Sequence, residues 1–350
     1  MKYLRLLLFP FSLIYGLVVI ARNWFYDAGL FTSTEFDLPV IAVGNLEVGG
    51  AGKSPMTEYL IRLLKNDYKL ATLSRGYGRD TKGFLIASNN TTATHIGDEP
   101  AQFKHKFPEV TVAVCEKRVV GIEQLRGGND LIILDDAYQH RAVKPGLSIL
   151  LFDYKAVTHP QFLLPAGNLR EPFSGRWRAD VIVISKCPGD VTEANQEKIA
   201  DKIALLPYQQ LYFTAISYLP LHDMVGQLAN EIIDAETTVF LLTGIANPVP
   251  LVDHIKTRTL NIAHHNYPDH HSFSLKNIIK LAEDFNACKS QKKLIITTEK
   301  DAQRLGLHEL KEILNKLPVY VQPIGINFLH HQQNFDQTVL NYVREHISHS

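Results

Sequence analysis

Lys53 and Ser54 close a run whose residue types suit the holding of phosphate: Gly44-Asn45-Leu46-Glu47-Val48-Gly49-Gly50-Ala51-Gly52-Lys53-Ser54. Its glycines let backbone N–H groups turn inward onto oxygen atoms. Lys53 supplies a mobile cation for β- and γ-phosphates, and the Ser54 hydroxyl suits Mg²⁺. Residues Glu47 to Ser54 therefore read as a binding turn for a nucleoside triphosphate. One position departs from the usual pattern. The glycine expected five places before Gly52 is Glu47, and Gly49 with Gly50 is expected to supply the flexibility instead.

Further polar groups fall into short clusters. Asp135-Asp136 follows the apolar run Leu131-Ile132-Ile133-Leu134. A carboxylate at a strand end beside a phosphate turn can hold the metal that phosphoryl transfer needs, and either residue suits that role. Asp98 and Glu99 are candidates for activating an acceptor hydroxyl, although taken alone Asp98 reads first as the cap of the helix it opens. Tyr267-Pro268-Asp269-His270-His271 is the densest polar spot in the second half. Adjacent histidines alone are weak metal signals. A histidine bonded to Asp98 from across a cleft would instead orient that carboxylate. Arg75, Arg79, Arg118, Arg141, Arg170 and Arg176 offer guanidinium forks for phosphate groups.

These residues need elements to position them. Pro39 to Val43 reads as a buried strand before the phosphate turn, and Met56 to Lys65 has helical periodicity after it. Strand, turn and helix in that order aim the positive end of a helix dipole at the bound oxygens. Lys69–Leu73, Val110–Val114, Leu131–Leu134, Leu147–Phe152 and Val181–Ile184 are further strands, with helices between several of them. That alternation predicts an α/β fold, a P-loop NTPase-like parallel sheet with helices on both faces. Functional loops then lie at the carboxyl ends of the strands. A second αβ pattern begins near Thr237, with residues about 210–235 as the joint. The expected organisation is a hydrophobic helix over 1–28, a core domain over 29–220 and a smaller αβ domain over 221–350 that closes over the cleft.

Composition narrows the partners. The 350 residues carry 36 basic and 36 acidic side chains, so no basic excess points to nucleic acid. Cys115, Cys187 and Cys288 form no CxxC pair, which argues against a disulfide framework or zinc site and fits a reducing, cytosol-facing location. Between Arg5 and Arg22 there is no charge, and Lys2, Arg22, Trp24, Phe25 and Tyr26 flank that stretch. A cleaved signal peptide would export a triphosphate site to where ATP is absent. A spanning helix needs about 20 apolar residues, and Pro10 and Gly16 interrupt this run. A helix lying in the membrane interface suits the segment best, with spanning and plain burial as the alternatives.

Taken in order, the motifs resemble one family. They are Gly44-Asn45 with Gly49-Gly50-Ala51-Gly52-Lys53-Ser54-Pro55, Ser74-Arg75-Gly76-Tyr77-Gly78-Arg79, Gly97-Asp98-Glu99-Pro100, Asp135-Asp136-Ala137-Tyr138-Gln139-His140-Arg141, Leu164-Pro165-Ala166-Gly167-Asn168-Leu169-Arg170-Glu171-Pro172, Gly244-Ile245-Ala246-Asn247-Pro248, Pro268-Asp269-His270-His271 and Thr298-Glu299-Lys300-Asp301. The chain is similar over nearly its whole length to the tetraacyldisaccharide 4′-kinases, the lipid A 4′-kinases of Gram-negative bacteria. The resemblance implies a membrane-associated enzyme on the cytoplasmic face of the inner membrane, using ATP and Mg²⁺. Its substrate would be a lipid A disaccharide 1-phosphate, phosphorylated on the 4′-hydroxyl. By the same resemblance Lys53 and Ser54 serve phosphates and metal, and Asp135 and Asp136 the metal. Asp98 is the base, paired with His270 by position, with His271 beside it as the alternative. Arg75, Tyr77 and Arg79 would line the acceptor side, with Glu99, Arg170 and Glu171 counted there too. Ser54 and Tyr138 stand where many members have threonine and another aromatic residue.

Three rivals were weighed against this reading. A mechanical ATPase of the deviant P-loop class would carry a lysine at Val48. A GTPase would need an acid where Ser185-Lys186-Cys187-Pro188 has Pro188. A non-catalytic membrane adaptor would hold nucleotide without consuming it.

Overall fold

The structure is a computed structural model that describes residues 5–306 and 308–348. Lys2, one of the expected flanking charges, lies outside the described residues. Apolar segments too short for helices form the strands β1 (Val40–Asn45), β2 (Leu70–Ser74), β3 (Leu85–Ile86), β4 (Thr111–Val114), β5 (Leu131–Asp135), β6 (Leu147–Asp153), β7 (Val181–Ser185) and β8 (Gln210–Tyr218). A smaller sheet holds β9 (His222–Asp223), β10 (Thr238–Thr243), β11 (Ile262–Asn266), β12 (Lys293–Thr298) and β13 (Val319–Gln322). β14 (Ile324–Phe328) then rejoins the first sheet, whose order is β14-β8-β7-β6-β1-β5-β2-β4-β3. Pairing is parallel from β8 to β4, and antiparallel where β14 and β3 join the edges. The small sheet runs β11-β10-β12-β13-β9, antiparallel only at β9.

β1 lies between β6 and β5, and the chain leaves it toward β2 before returning to build β6 on its other side. That is a topological switch point, where the strand ends diverge and leave a crevice. Both sheet faces are covered. Ile41 and Val43 point into one core layer with Met56, Leu60 and Leu64, while Val40 and Ala42 point into the other with Leu73 and Ile122. This period-two alternation on a fully buried strand explains its unbroken apolar sequence.

Five helices bear on function: α1 (Phe9–Asp27), α2 (Lys53–Leu64), α3 (Asp98–Lys106), α4 (Glu299–Leu305) and α5 (Gln332–Ser348). α5 corrects the expected boundary of the smaller unit. That unit was read as running from 221 to 350, but the chain leaves the large sheet after Tyr218 and returns at Pro323. Phe335, Val339 and Val343 follow a helical spacing and are fully buried in the core under β1. The Tyr342 hydroxyl accepts from Val40 N at 3.0 Å and donates to Val40 O at 3.2 Å.

The amino-terminal helix also differs from expectation. Pro10 and Gly16 do not interrupt it, and residues Leu6–Asp27 are long and apolar enough to cross a membrane by length and composition. Pro10 occupies the first turn, where no intrahelical N–H bond is lost. Gly16 meets Leu163 so closely that a Cβ would stand 2.8 Å from its Cδ1. Ser12, Gly16 and Val19 form a buried stripe against the protein, while Leu7, Leu13, Ile14, Leu17, Val18 and Trp24 are exposed.

Candidate active site

The phosphate turn sits at the carboxyl end of β1 and leads into α2. Gly52 precedes the helix at φ +85°, and a Cβ there would lie 3.5 Å from the Ser185 side chain. Only glycine takes that left-handed position cheaply. Glu47, the departure from the usual pattern, is accommodated because it behaves as a strand residue. It bridges Leu169, and its carboxyl accepts from Gln161 Nε2 at 2.6 Å. Burial pushes that carboxyl above its ordinary value. The turn is also held from β7. Ser185 Oγ donates to Ala51 O at 2.7 Å, and Lys186 Nζ donates to Gly50 O. Sequence reasoning met Ser185 and Lys186 only as a faint guanine signal.

Lys53 reaches across its own turn. Its Nζ lies 3.0 Å from Asn45 Oδ1 and 3.5 Å from Asp136 Oδ1. Burial pulls the ammonium below its ordinary pKa, against the attraction of Asp136. The two acids at the end of β5 differ. Asp136, at φ +46°, is pushed up by burial, but Lys53 and Arg170 outweigh that and hold it below the ordinary carboxylate value. Asp135 is buried, accepts from Thr57 Oγ1 at 3.1 Å, and is pushed up to about 6 by burial and by Asp136.

Gly97, at φ +93°, occupies the N-cap of α3 because a Cβ there would stand 2.9 Å from Tyr77 O. Asp98 is thus the first residue of the helix and not its N-cap. It points instead to the smaller unit. His270 Nδ1 lies 3.1 Å from Asp98 Oδ2, and Arg304 Nη2 donates to the same oxygen at 2.5 Å. His271 turns away, with Nε2 3.1 Å from Asn277 Oδ1 and its ring stacked on Tyr267. Burial pushes Asp98 up, but Arg304 and His270 outweigh it and hold the carboxyl below its ordinary value.

The residues assigned to the acceptor side separate into two groups. Arg75 and Tyr77 are exposed at the cleft mouth, with the Tyr77 ring 6.1 Å from the His270 ring. Arg79 turns back into its own loop, donating to Gly83 O at 2.6 Å and Glu116 at 2.5 Å. Glu99 is paired with Lys300 at 2.6 Å. Glu171 is fully buried and accepts from Arg178, Gln139 and Asn23. Arg170 spans the site, donating to Asp136 at 2.9 Å and Asn45 Oδ1 at 2.5 Å. Three of these side chains are therefore committed to the fold. The residue that sequence reasoning missed is Arg304, which follows the quoted Thr298-Glu299-Lys300-Asp301 motif by one helical turn.

A strap over residues 161–171 joins this site to α1. Val48 N donates to Asn168 O at 2.8 Å, and Arg170 N to Leu46 O at 2.7 Å. On its other side Ser12 Oγ donates to Leu163 O at 3.0 Å, Tyr15 donates to Arg170 O at 2.7 Å, and Arg5 reaches Pro165 O and Asn168.

The family model described as tetraacyldisaccharide-1-P 4′-kinase matches residues 4–344. A tetraacyldisaccharide 4′-kinase of Flavobacterium johnsoniae is 46% identical over 351 residues, covering 99% of each chain. One of Bacteroides thetaiotaomicron is 45% identical, over 98% of this chain and 94% of the relative. Among solved structures, LpxK from Aquifex aeolicus in complex with ATP superposes with a TM-score of 0.76 at 28% identity, covering 97% of this chain and 99% of that one.

Proposed function

The chain belongs to the tetraacyldisaccharide 4′-kinase family and is an ATP-dependent kinase of lipid A biosynthesis, and on that premise we propose the part each residue takes in the transfer. The Glu47–Ser54 turn cradles the phosphates of ATP, with Lys53 over the transferred group. Asp98 is the base. The acceptor 4′-oxygen bonds to the γ-phosphorus as the bridging P–O bond breaks and its electron pair leaves with ADP. The 4′-O–H bond breaks in the same step, and its proton passes to the Asp98 carboxylate. A base in this reaction accepts a proton late, so a carboxylate held below its ordinary pKa is adequate. The observation that carries the reading is Asp98 itself, a cleft carboxylate gripped by His270 and Arg304 of the facing unit.

Mg²⁺ fits the donors present. Ser54, Asp135 and Asp136 offer oxygen, which this ion prefers, and it commonly takes one or two carboxylates with the rest from phosphate and water. Asp135 is buried with one hydroxyl partner and an upward-pushed pKa, a tension that a cation relieves. Asp136 is already engaged by Lys53 and Arg170, which favours Asp135 as the direct ligand. When bound, the ion would neutralise charge on the phosphate oxygens.

The lipid acceptor explains α1. Its exposed apolar face, with Trp24 beyond it, suits shallow insertion at the cytoplasmic face of the inner membrane, where ATP is present. Arg75 and Tyr77 face the acceptor, and the balanced charge argues against nucleic acid as a partner. Labelled ATP, Mg²⁺ and a tetraacyldisaccharide 1-phosphate incubated with the purified protein should give a labelled lipid. Loss of ATP without the lipid would instead indicate an ATPase.

A further inference from the structure

Every side-chain hydrogen bond recorded to the Asp98 carboxylate among the described residues ends on one oxygen. Oδ2 accepts from Arg304 Nη2 at 2.5 Å and Nε at 3.1 Å, and His270 Nδ1 lies 3.1 Å from it and 3.2 Å from Arg304 Nη2. An oxygen crowded by these three nitrogen atoms has no direction left for an incoming hydroxyl. Oδ1 receives none of these bonds.

Arg304 is itself fixed from below. Nη1 donates to Gly244 O at 3.0 Å and to Asp301 Oδ1 at 3.1 Å. Asp301 is fully buried and accepts from Gly244 N at 3.0 Å and Thr298 Oγ1 at 2.7 Å. The Arg304 side chain is 8% exposed, whereas that of His270 is 44% exposed and stands on a loop. Arg304 is therefore the more rigid of the two partners, and its two N–H groups converging on Oδ2 fix the place of that oxygen.

We infer that Arg304 is a positioning residue for the transfer: it turns the Asp98 carboxylate so that Oδ1 is the oxygen offered to the acceptor hydroxyl. It ties that orientation to the meeting of the two units, since Asp98 stands on α3 and Arg304 on α4. The inference rests on the reading of Asp98 as base. The charged groups around Asp98 are Arg304, Lys300 and Asp301 from α4, His270 and Asp269 from the facing loop, and Glu99 from its own helix. Lys300 is occupied by Glu99, which leaves Arg304 as the main source of the carboxylate's acidity.

The test is kcat and KM against pH for Arg304→Gln, Arg304→Lys and Asp98→Asn, with labelled ATP and the disaccharide lipid in detergent. Arg304→Gln should lower kcat about tenfold to a hundredfold, with KM for ATP held within about twofold. Its acidic limb in kcat should move up by about one pH unit. Arg304→Lys should restore the limb but not the full kcat, because an ammonium cannot give Oδ2 two converging donors while anchored on Gly244 and Asp301. If Arg304→Gln does not fold, as judged by its melting curve, Arg304→Lys decides by kcat alone. A wild-type kcat in Arg304→Lys, or a lowered kcat with an unmoved limb in Arg304→Gln, overturns the inference. Full activity in Asp98→Asn would overturn the base reading instead. An inactive Asp98→Asn beside an Arg304→Gln of wild-type profile removes only the positioning role.

Discussion

Lys53 carries its charge at a cost, since burial works against the ammonium while Asn45 and Asp136 hold it. That cost is repaid where negative charge gathers in the transition state. Lys53→Ala should lower kcat by about a hundredfold or more, with a melting temperature close to that of the wild type, because Arg170 still neutralises Asp136. Single-turnover kinetics and a thermal melt check the two halves of this expectation. The residues proposed for the transfer could be picked out in the sequence because they sit in short strings: Lys53 beside Ser54, Asp135 beside Asp136, Asp98 after Gly97. Arg304 was not. Its partner Asp98 is 206 positions away, and one arginine among 36 basic residues carries no local mark. The commitments of Arg79, Glu99 and Glu171 were hidden for the same reason. Residue type shows that a charge is present, and only the fold shows which neighbour has already claimed it.

At the scale of elements, α3 and α4 meet through charge. Asp98 pairs with Arg304, Glu99 with Lys300, and Lys106 with both Glu58 and Glu299. Burial pushes Glu99 up, but Lys300 outweighs it and holds the carboxyl below its ordinary 4.5. A depressed carboxyl stabilises the fold above its unfolded pKa, and that contribution fades as pH falls through the folded value. The stability difference between wild type and Glu99→Gln should therefore be about 1 kcal/mol at neutral pH and disappear once the pH has fallen below the lowered folded value. Urea melts of both proteins across that range measure it, and a difference that persisted in acid would exclude this origin. Strands and the phosphate helix were legible because each buries a periodic face of its own. The return of β14 and α5 to the first sheet was not, because the stripe of Phe335, Val339 and Val343 fits either core equally well in sequence. Removing residues 330–350 should accordingly unfold the large unit, seen as a lost cooperative melt, and should not merely trim the small one.

In the whole molecule, two crossings near Tyr218 and Pro323 connect the units, and the α3–α4 contact brings their functional groups together. The amino-terminal apolar helix and the two strand-rich patterns were legible in composition and alternation. The helix's docking was not, because Ser12 and Gly16 look like interruptions of an apolar run until Leu163 is placed against them. That docking gives the strap over 161–171 a mechanical meaning. A helix floating at the end of a flexible linker could tilt without consequence. Here any roll of α1 pulls on the carbonyls of Leu163 and Arg170, and the next bonds along lead to Leu46 and Val48. Deleting residues 1–22 should thus move the protein from membrane to soluble fractions and also raise KM for ATP several-fold in detergent, whereas an unaltered KM would show the strap to be slack. The strap is thus the shared neighbour of α1 and of the glycine-rich turn before α2.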